Sequence, residues 1–266
     1  MAGRLRGKIA IITGGASGIG RAACLRIASE GCSVAVIDLD EKGAYDVAEK
    51  CAKTGVETLA LKADVSDEKD IETAVSKALS HFKRLDFLVS NAGIEGAMKD
   101  FGETSAAEWD RVMAINVRGA FLTVRACLPT FRAQKSGAIV LTASNYGFVA
   151  TPHTTVYCTS KGAVNALGRA LSVELVPDGI RVNCICPGNV DTPMYDRALA
   201  MQVDDPATVK AAMGRMAKPE EIASVITFLL SEDASYMTGA QVMIDYGETC
   251  RPGPVWPSPG WQGLSE

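Results

Sequence analysis

The chain has 266 residues, 47% hydrophobic and 22% charged, with a net charge of −4 from 27 Lys and Arg against 31 Asp and Glu. That length and apolar content suit one α/β domain with a substantial core and exclude a largely disordered chain. No basic run exceeds the one from Arg4 to Lys8, which argues against a nucleic-acid partner, and no apolar run approaches the ~20 residues of a membrane span.

Eight cysteines are scattered through the chain and no secretory pattern precedes the first apolar run, so the expected setting is the reducing cytoplasm. Lys8 to Thr13 reads as a buried strand ending at glycines, and Ile19, Ala22, Ala23, Ile27 and Ala28 follow at helical spacing up to Gly31. Ser33 to Asp38 is a second strand ending in an acid, and Glu41 to Thr54 is an amphipathic helix closed by Gly55. The alternation continues with strand Glu57 to Ala63, helix Asp67 to Lys83, strand Asp86 to Ser90, helix Ala106 to Phe131, strand Ala138 to Thr142, helix Thr154 to Val176 and strand Arg181 to Cys186. Helix Pro219 to Leu230 and strand Gln241 to Ile244 close the series.

Near-continuous Val, Ile and Leu strands need cover on both faces. The expected architecture is therefore a single-domain, doubly wound α/β Rossmann fold with a seven-stranded parallel sheet over residues 1–247 and ligands at the carboxyl ends of the strands. The stretch 189–216 breaks the rhythm after a strand end and reads as a substrate-binding lid. Residues 248–266 form a Pro-, Gly- and Trp-rich tail without periodicity.

The turn from Gly14 through Ser17, Gly18 and Ile19 to Gly20 follows a strand and opens a helix, so backbone amides can approach a pyrophosphate. Its spacing, Gly-x-x-x-Gly-x-Gly, differs from the common Gly-x-Gly-x-x-Gly fingerprint. Asp38 ends the second strand eighteen residues later, beside Leu39, where a carboxylate can accept both hydroxyls of an adenosine ribose and repel a 2′-phosphate; Asp38 or Asp40 is alternatively a helix cap. The cofactor expected from this is NAD. Asp64-Val65 and Asn91-Ala92-Gly93 end the third and fourth strands, where adenine and the middle of a dinucleotide would cross the sheet edge.

Tyr157 and Lys161 are one helical turn apart, so both leave the same face. A free tyrosine ionises near pH ~10, and a neighbouring cation is expected to lower that value. Cys184 and Cys186 alternate along a strand with no histidine at ligand spacing and read as core residues. His81 and His153 stand alone, so no metal site is expected.

Thr13-Gly-Gly-Ala-Ser-Gly-Ile-Gly20, Asp38, Asp64-Val65, Asn91-Ala92-Gly93, Asn116, Ser144, Tyr157-x-x-x-Lys161 and Pro187-Gly188 to Thr192 occur in order, and on them the chain resembles the short-chain dehydrogenase/reductase family over roughly residues 7 to 247. The resemblance implies Tyr157 as general acid/base, Ser144 orienting the substrate oxygen, Lys161 lowering the tyrosine pKa and holding the nicotinamide ribose, and Asn116 supporting a proton-relay water. It further implies that Pro187, Gly188, Val190 and Thr192 fix the carboxamide, and that the protein is a homotetramer or homodimer. Departures are Thr142-Ala143 before Ser144, Ser90 before Asn91, and the nineteen residues beyond Gly247, which read either as an arm reaching a neighbouring subunit's active-site mouth through Trp256 or Trp261, or as a disordered end or subunit-contact strap.

The substrate expected is a small secondary alcohol or ketone, met by Glu95, Asn145, Tyr146, His153, Met194 and Tyr195 as pocket or lid positions. A NAD-dependent epimerase or dehydratase, and a non-catalytic NAD-sensing protein, are the competing readings.

Overall fold

The computed structural model describes residues 3–201 and 215–250. Much of the predicted lid, and the tail from residue 251 with Trp256 and Trp261, lie outside the described residues. Seven parallel strands, β1 (Ile9–Thr13), β2 (Ser33–Asp38), β3 (Thr58–Lys62), β4 (Phe87–Ser90), β5 (Gly137–Thr142), β6 (Ile180–Pro187) and β7 (Gln241–Ile244), form one sheet in the order β3-β2-β1-β4-β5-β6-β7. The described helices are α1 (Gly18–Ser29), α2 (Glu41–Ala52), α3 (Glu68–Phe82), α4 (Ala106–Met113), α5 (Gly119–Gln134), α6 (Thr155–Leu175), α7 (Pro193–Ala200) and α8 (Pro219–Leu230).

The two-residue period of each strand sorts its side chains between two cores. Ala10 and Ile12 of β1, Val34 and Val36 of β2 and Val140 of β5 pack with α1, α2 and α8. Ile9 and Ile11, Ala35 and Ile37, and Ile139 and Leu141 pack on the opposite face with α3, α5 and α6. Cys184 and Cys186 belong to that second core, as expected.

Strand order reverses at β1. The chain builds outward through β2 and β3, then crosses back to place β4 on the other side of β1. The divergence of the following loops opens a crevice at the carboxyl ends of β1 and β4, the usual ligand position in such sheets.

The helix expected from Ala106 to Phe131 is not uniform. A π-helical turn, Ala114–Arg118, separates α4 from α5 and re-phases the side chains around Asn116. By length and apolar content the stretch Ala106–Gln134 is long enough to cross a membrane. Its Leu122, Val124, Cys127 and Phe131 are buried against the sheet, which makes it a core helix.

Candidate active site

A cavity of about 550 Å³ opens at the carboxyl ends of the strands. At one end lies the glycine turn. Gly14 has φ +66°, and a Cβ there would stand 2.8 Å from Ala92 Cα; a Cβ on Gly20 would stand 1.9 Å from the Gly14 carbonyl oxygen. These close approaches need glycine. Asn91 Nδ2 donates to the Gly14 carbonyl at 3.2 Å, and Thr13 Oγ1 accepts from the Asn91 and Ala92 amides at 3.1 and 3.3 Å. Gly14, Ser17, Gly18 and Ile19 line the cavity, whereas Gly20 packs behind them and supports the turn.

Asp38 and Leu39 line the same end. Asp40 caps α2 by accepting from Gly43 N at 3.1 Å, which settles which acid is the cap. Asp38 instead accepts from Ala16 N at 2.9 Å and from Asp40 N at 3.0 Å, one amide to each oxygen. A carboxylate has about four lone-pair sites, so the two amides orient it and leave acceptor capacity toward the cavity. Asp64, Val65, Asn91, Ala92 and Gly93 form the floor, with Asp64 held by the Ser66 amide and hydroxyl at 2.8 and 2.7 Å.

At the other end, Ser144 follows β5 and caps a short turn, accepting from Tyr146 N at 3.1 Å. Its hydroxyl donates to Asn145 Oδ1 at 3.1 Å. Tyr157 and Lys161 extend from the first two turns of α6 into the cavity with Ser144. Lys161 Nζ donates to the Thr142 carbonyl at 2.9 Å. Pro187, Gly188, Val190 and Thr192 close the side after β6.

One expectation about these residues needs correction. Burial raises the Tyr157 pKa in the free protein, with the nearby Ser144 hydroxyl pulling the other way; it is not lowered by Lys161. The ammonium is itself desolvated, which brings its pKa down to about 8. Asn116 is only 2% exposed and does not line the cavity. Its Oδ1 accepts from Ile94 N at 2.8 Å, and its Nδ2 donates to the Ile94 carbonyl and to Ser160 Oγ, both at 2.9 Å. Those bonds pin the loop after β4 to α6.

Of the expected substrate residues, Glu95, Asn145, Tyr146, Met194 and Tyr195 line the cavity. Tyr146 stands edge-on to Tyr157 with centroids 6.2 Å apart. His153 does not belong there: it is exposed, at φ +67°, on the loop before α6. Sequence reasoning missed Met98, Arg111, Asn189 and Arg197, which also line the cavity. Arg197 forks onto Glu95, with Nε and Nη2 donating at 2.7 and 3.2 Å. It missed Glu248 too, assigned to the tail but buried against the cavity wall, where it accepts from Asn145 Nδ2 at 3.1 Å and Asn189 Nδ2 at 2.7 Å. No local pattern marks these residues; only the alternation that placed the surrounding strands hinted at their neighbourhood.

Cys184 and Cys186 are buried and their thiols are pushed up to about 12 by desolvation. Among the described residues no cluster of His, Cys, Asp and Glu suits a metal ion.

A family model described as Enoyl-(Acyl carrier protein) reductase matches residues 14–249. The chain is 37% identical over 252 residues to a cyclopentanol dehydrogenase of Comamonas sp. (strain NCIMB 9872), covering 93% of this chain and 99% of that one. The chain belongs to the short-chain dehydrogenase/reductase family. Among solved structures, levodione reductase matches with a TM-score of 0.89 at 36% identity, covering 92% of this chain and 99% of that one. NAD+-bound xylitol dehydrogenase matches with a TM-score of 0.87 at 33% identity, covering 90% and 98%. The seven-stranded parallel fold is thus shared with these solved structures.

Proposed function

We propose that the protein interconverts a small secondary alcohol and its ketone, with NAD as hydride carrier and Tyr157 as proton carrier. The observation that carries this reading is one cavity with Asp38 and the glycine turn at one end and Ser144, Tyr157 and Lys161 at the other. The residues fit a dinucleotide: a turn with no room for a Cβ at Gly14 or Gly20, the amides that open α1, and a carboxylate oriented by two amides. Asp38 would hold the adenosine ribose and exclude a 2′-phosphate, Asp64 and Val65 would border the adenine, and Lys161 would hold the nicotinamide ribose. NAD, when bound, supplies a ring carbon that takes up or returns hydride.

In oxidation, Tyr157 as phenolate takes the hydroxyl proton while the carbinol carbon loses hydride, and Ser144 donates a hydrogen bond to the oxygen that becomes carbonyl. In reduction, Tyr157 as phenol returns that proton. The raised pKa of Tyr157 in the free protein keeps the phenol in the protonated form that reduction starts from. Asn116 supports the site by fixing the Ile94 backbone over Gly93.

Met98, Met194, Tyr146 and Tyr195 give the substrate end an apolar wall with Glu95, Asn145 and Arg197 as polar handles. A compact cyclic alcohol or ketone suits that mixture, in keeping with the relative named for cyclopentanol. We assign one catalytic domain that runs through Cys250, assembled as a homodimer or homotetramer. The reducing cytoplasm suits its eight free cysteines.

A panel of cyclic and linear secondary alcohols incubated with NAD, and of the ketones with NADH, followed by NADH absorbance, tests the reading. Turnover of at least one pair is expected. Its absence across the panel while NAD binds would favour the non-catalytic alternative, and product isomerisation without net NADH would favour the epimerase.

A further inference from the structure

We propose that Glu248 is a positioning residue for the reaction, acting through Asn145 to set the direction of the Ser144 hydroxyl. The inference rests on the reading of Ser144 as the group that meets the substrate oxygen.

Glu248 sits on the short helical turn Glu248–Cys250 that follows β7, and it is only 7% exposed. Asp245 builds that turn, accepting from Gly247 N at 3.0 Å, Thr249 N at 2.8 Å and Thr249 Oγ1 at 2.7 Å. The carboxylate then spans two walls of the cavity. One oxygen, Oε2, accepts from Asn145 Nδ2 at 3.1 Å; the other, Oε1, accepts from Asn189 Nδ2 at 2.7 Å. Gly188 leaves it room, since a Cβ there would lie 2.5 Å from Glu248 Oε2.

Both Glu248 oxygens accept from amide NH2 groups, so the Asn145 amide turns its NH2 toward Glu248. Its carbonyl end is then committed to the other side, where Ser144 Oγ donates to it at 3.1 Å. Tyr146 N already donates to the same hydroxyl oxygen at 3.1 Å. With that amide as donor, the Ser144 proton has the Asn145 carbonyl as its nearer acceptor and the Pro187 carbonyl, at 3.4 Å, as a longer one, so Asn145 sets the resting direction from which the hydroxyl turns to hydrogen-bond a substrate oxygen. A glutamine at position 248 offers its own NH2 to one of the two asparagines. Donor then faces donor at that contact, or Asn145 turns over and presents N–H to the serine oxygen. The catalytic hydroxyl loses its fixed direction in the second case and its support in the first.

The test is a double-mutant cycle on the full-length enzyme, with Glu248→Gln, Asn145→Leu and the pair, measured as kcat, substrate KM and NAD dissociation constant on the best alcohol of the panel. Glu248→Gln is expected to lower kcat by roughly ten- to a hundredfold, the size of one lost charge-assisted hydrogen bond, while NAD binding stays within about twofold. In the Asn145→Leu background the same change is expected to have little further effect, because the relay is already cut. A wild-type kcat in Glu248→Gln, or full additivity of the two substitutions, overturns the proposal. If Glu248→Gln does not fold, Glu248→Asp, alone and with Asn145→Leu, decides: unchanged kcat or full additivity overturns it, and a kcat loss at unchanged NAD affinity that disappears in the Asn145→Leu background supports it. Wild-type enzyme without activity on any alcohol or ketone refutes the underlying function instead, so the two failures are distinguishable.

Discussion

Lys161 Nζ lies 5.6 Å from the centre of the Tyr157 ring and donates to the Thr142 carbonyl; no hydrogen bond joins it to the phenol oxygen. A half-buried phenol and a buried ammonium therefore sit side by side, and both are disfavoured as ions by desolvation. Activity depends on whatever the bound reactants add to that balance.

Replacing Tyr157 by Phe removes the proposed proton carrier and leaves the cofactor end intact. We expect a loss of about 10²–10⁴ in kcat with NAD affinity nearly unchanged, checked by steady-state rates and by titration of NAD fluorescence quenching. Residual activity close to wild type refutes the assignment. In the wild type, alcohol oxidation needs phenolate and is expected to accelerate from pH 7 toward alkaline pH, whereas ketone reduction needs phenol, which burial keeps protonated, and holds its rate up to at least about pH 9.

Lys161 presents the stability side of the same environment. Its folded pKa, about 8, lies below the unfolded value, so between the two the unfolded chain binds more protons and stability rises with pH. Below that window the full cost of the buried ammonium applies. Lys161→Met is expected to abolish catalysis yet stabilise the free protein at pH 7 by about 1–3 kcal/mol, the lower figure allowing for the lost bond to Thr142. Thermal unfolding at pH 7 and pH 10 checks this, and the stabilisation must shrink at the higher pH.

Asp38→Ser removes the negative charge at the ribose position. We expect NADP to become a usable cofactor and NAD affinity to fall by about 1.5–3 kcal/mol, partly because the Ala16 amide loses its acceptor. Unchanged selectivity between NAD and NADP contradicts the ribose role.

Arg197→Ala cuts the tie between α7 and the loop after β4. Arg197 is more than half exposed, so the effect on global stability is expected to be small, about 0.5–1 kcal/mol, while the Glu95 carboxylate loses its partner in the cavity. Substrate KM should rise several-fold and amide exchange should quicken in Pro193–Ala200. A KM equal to that of wild type argues against a role for this pair in substrate binding.

The sequence by itself determined the alternation of strands and helices, the glycine turn, Asp38 at a strand end, and Tyr157 with Lys161 on one helix face. Each of these is a local pattern, written in a period of two or about 3.6 residues or in a fixed short spacing. Only the tertiary structure decided the rest. Glu95 meets Arg197 across 102 residues and Asn145 meets Glu248 across 103, distances over which spacing carries no information. Burial set the direction of the pKa shifts of Tyr157 and Lys161, reversing the expectation for Tyr157, because desolvation depends on what the whole fold packs around a group rather than on its neighbour one turn away.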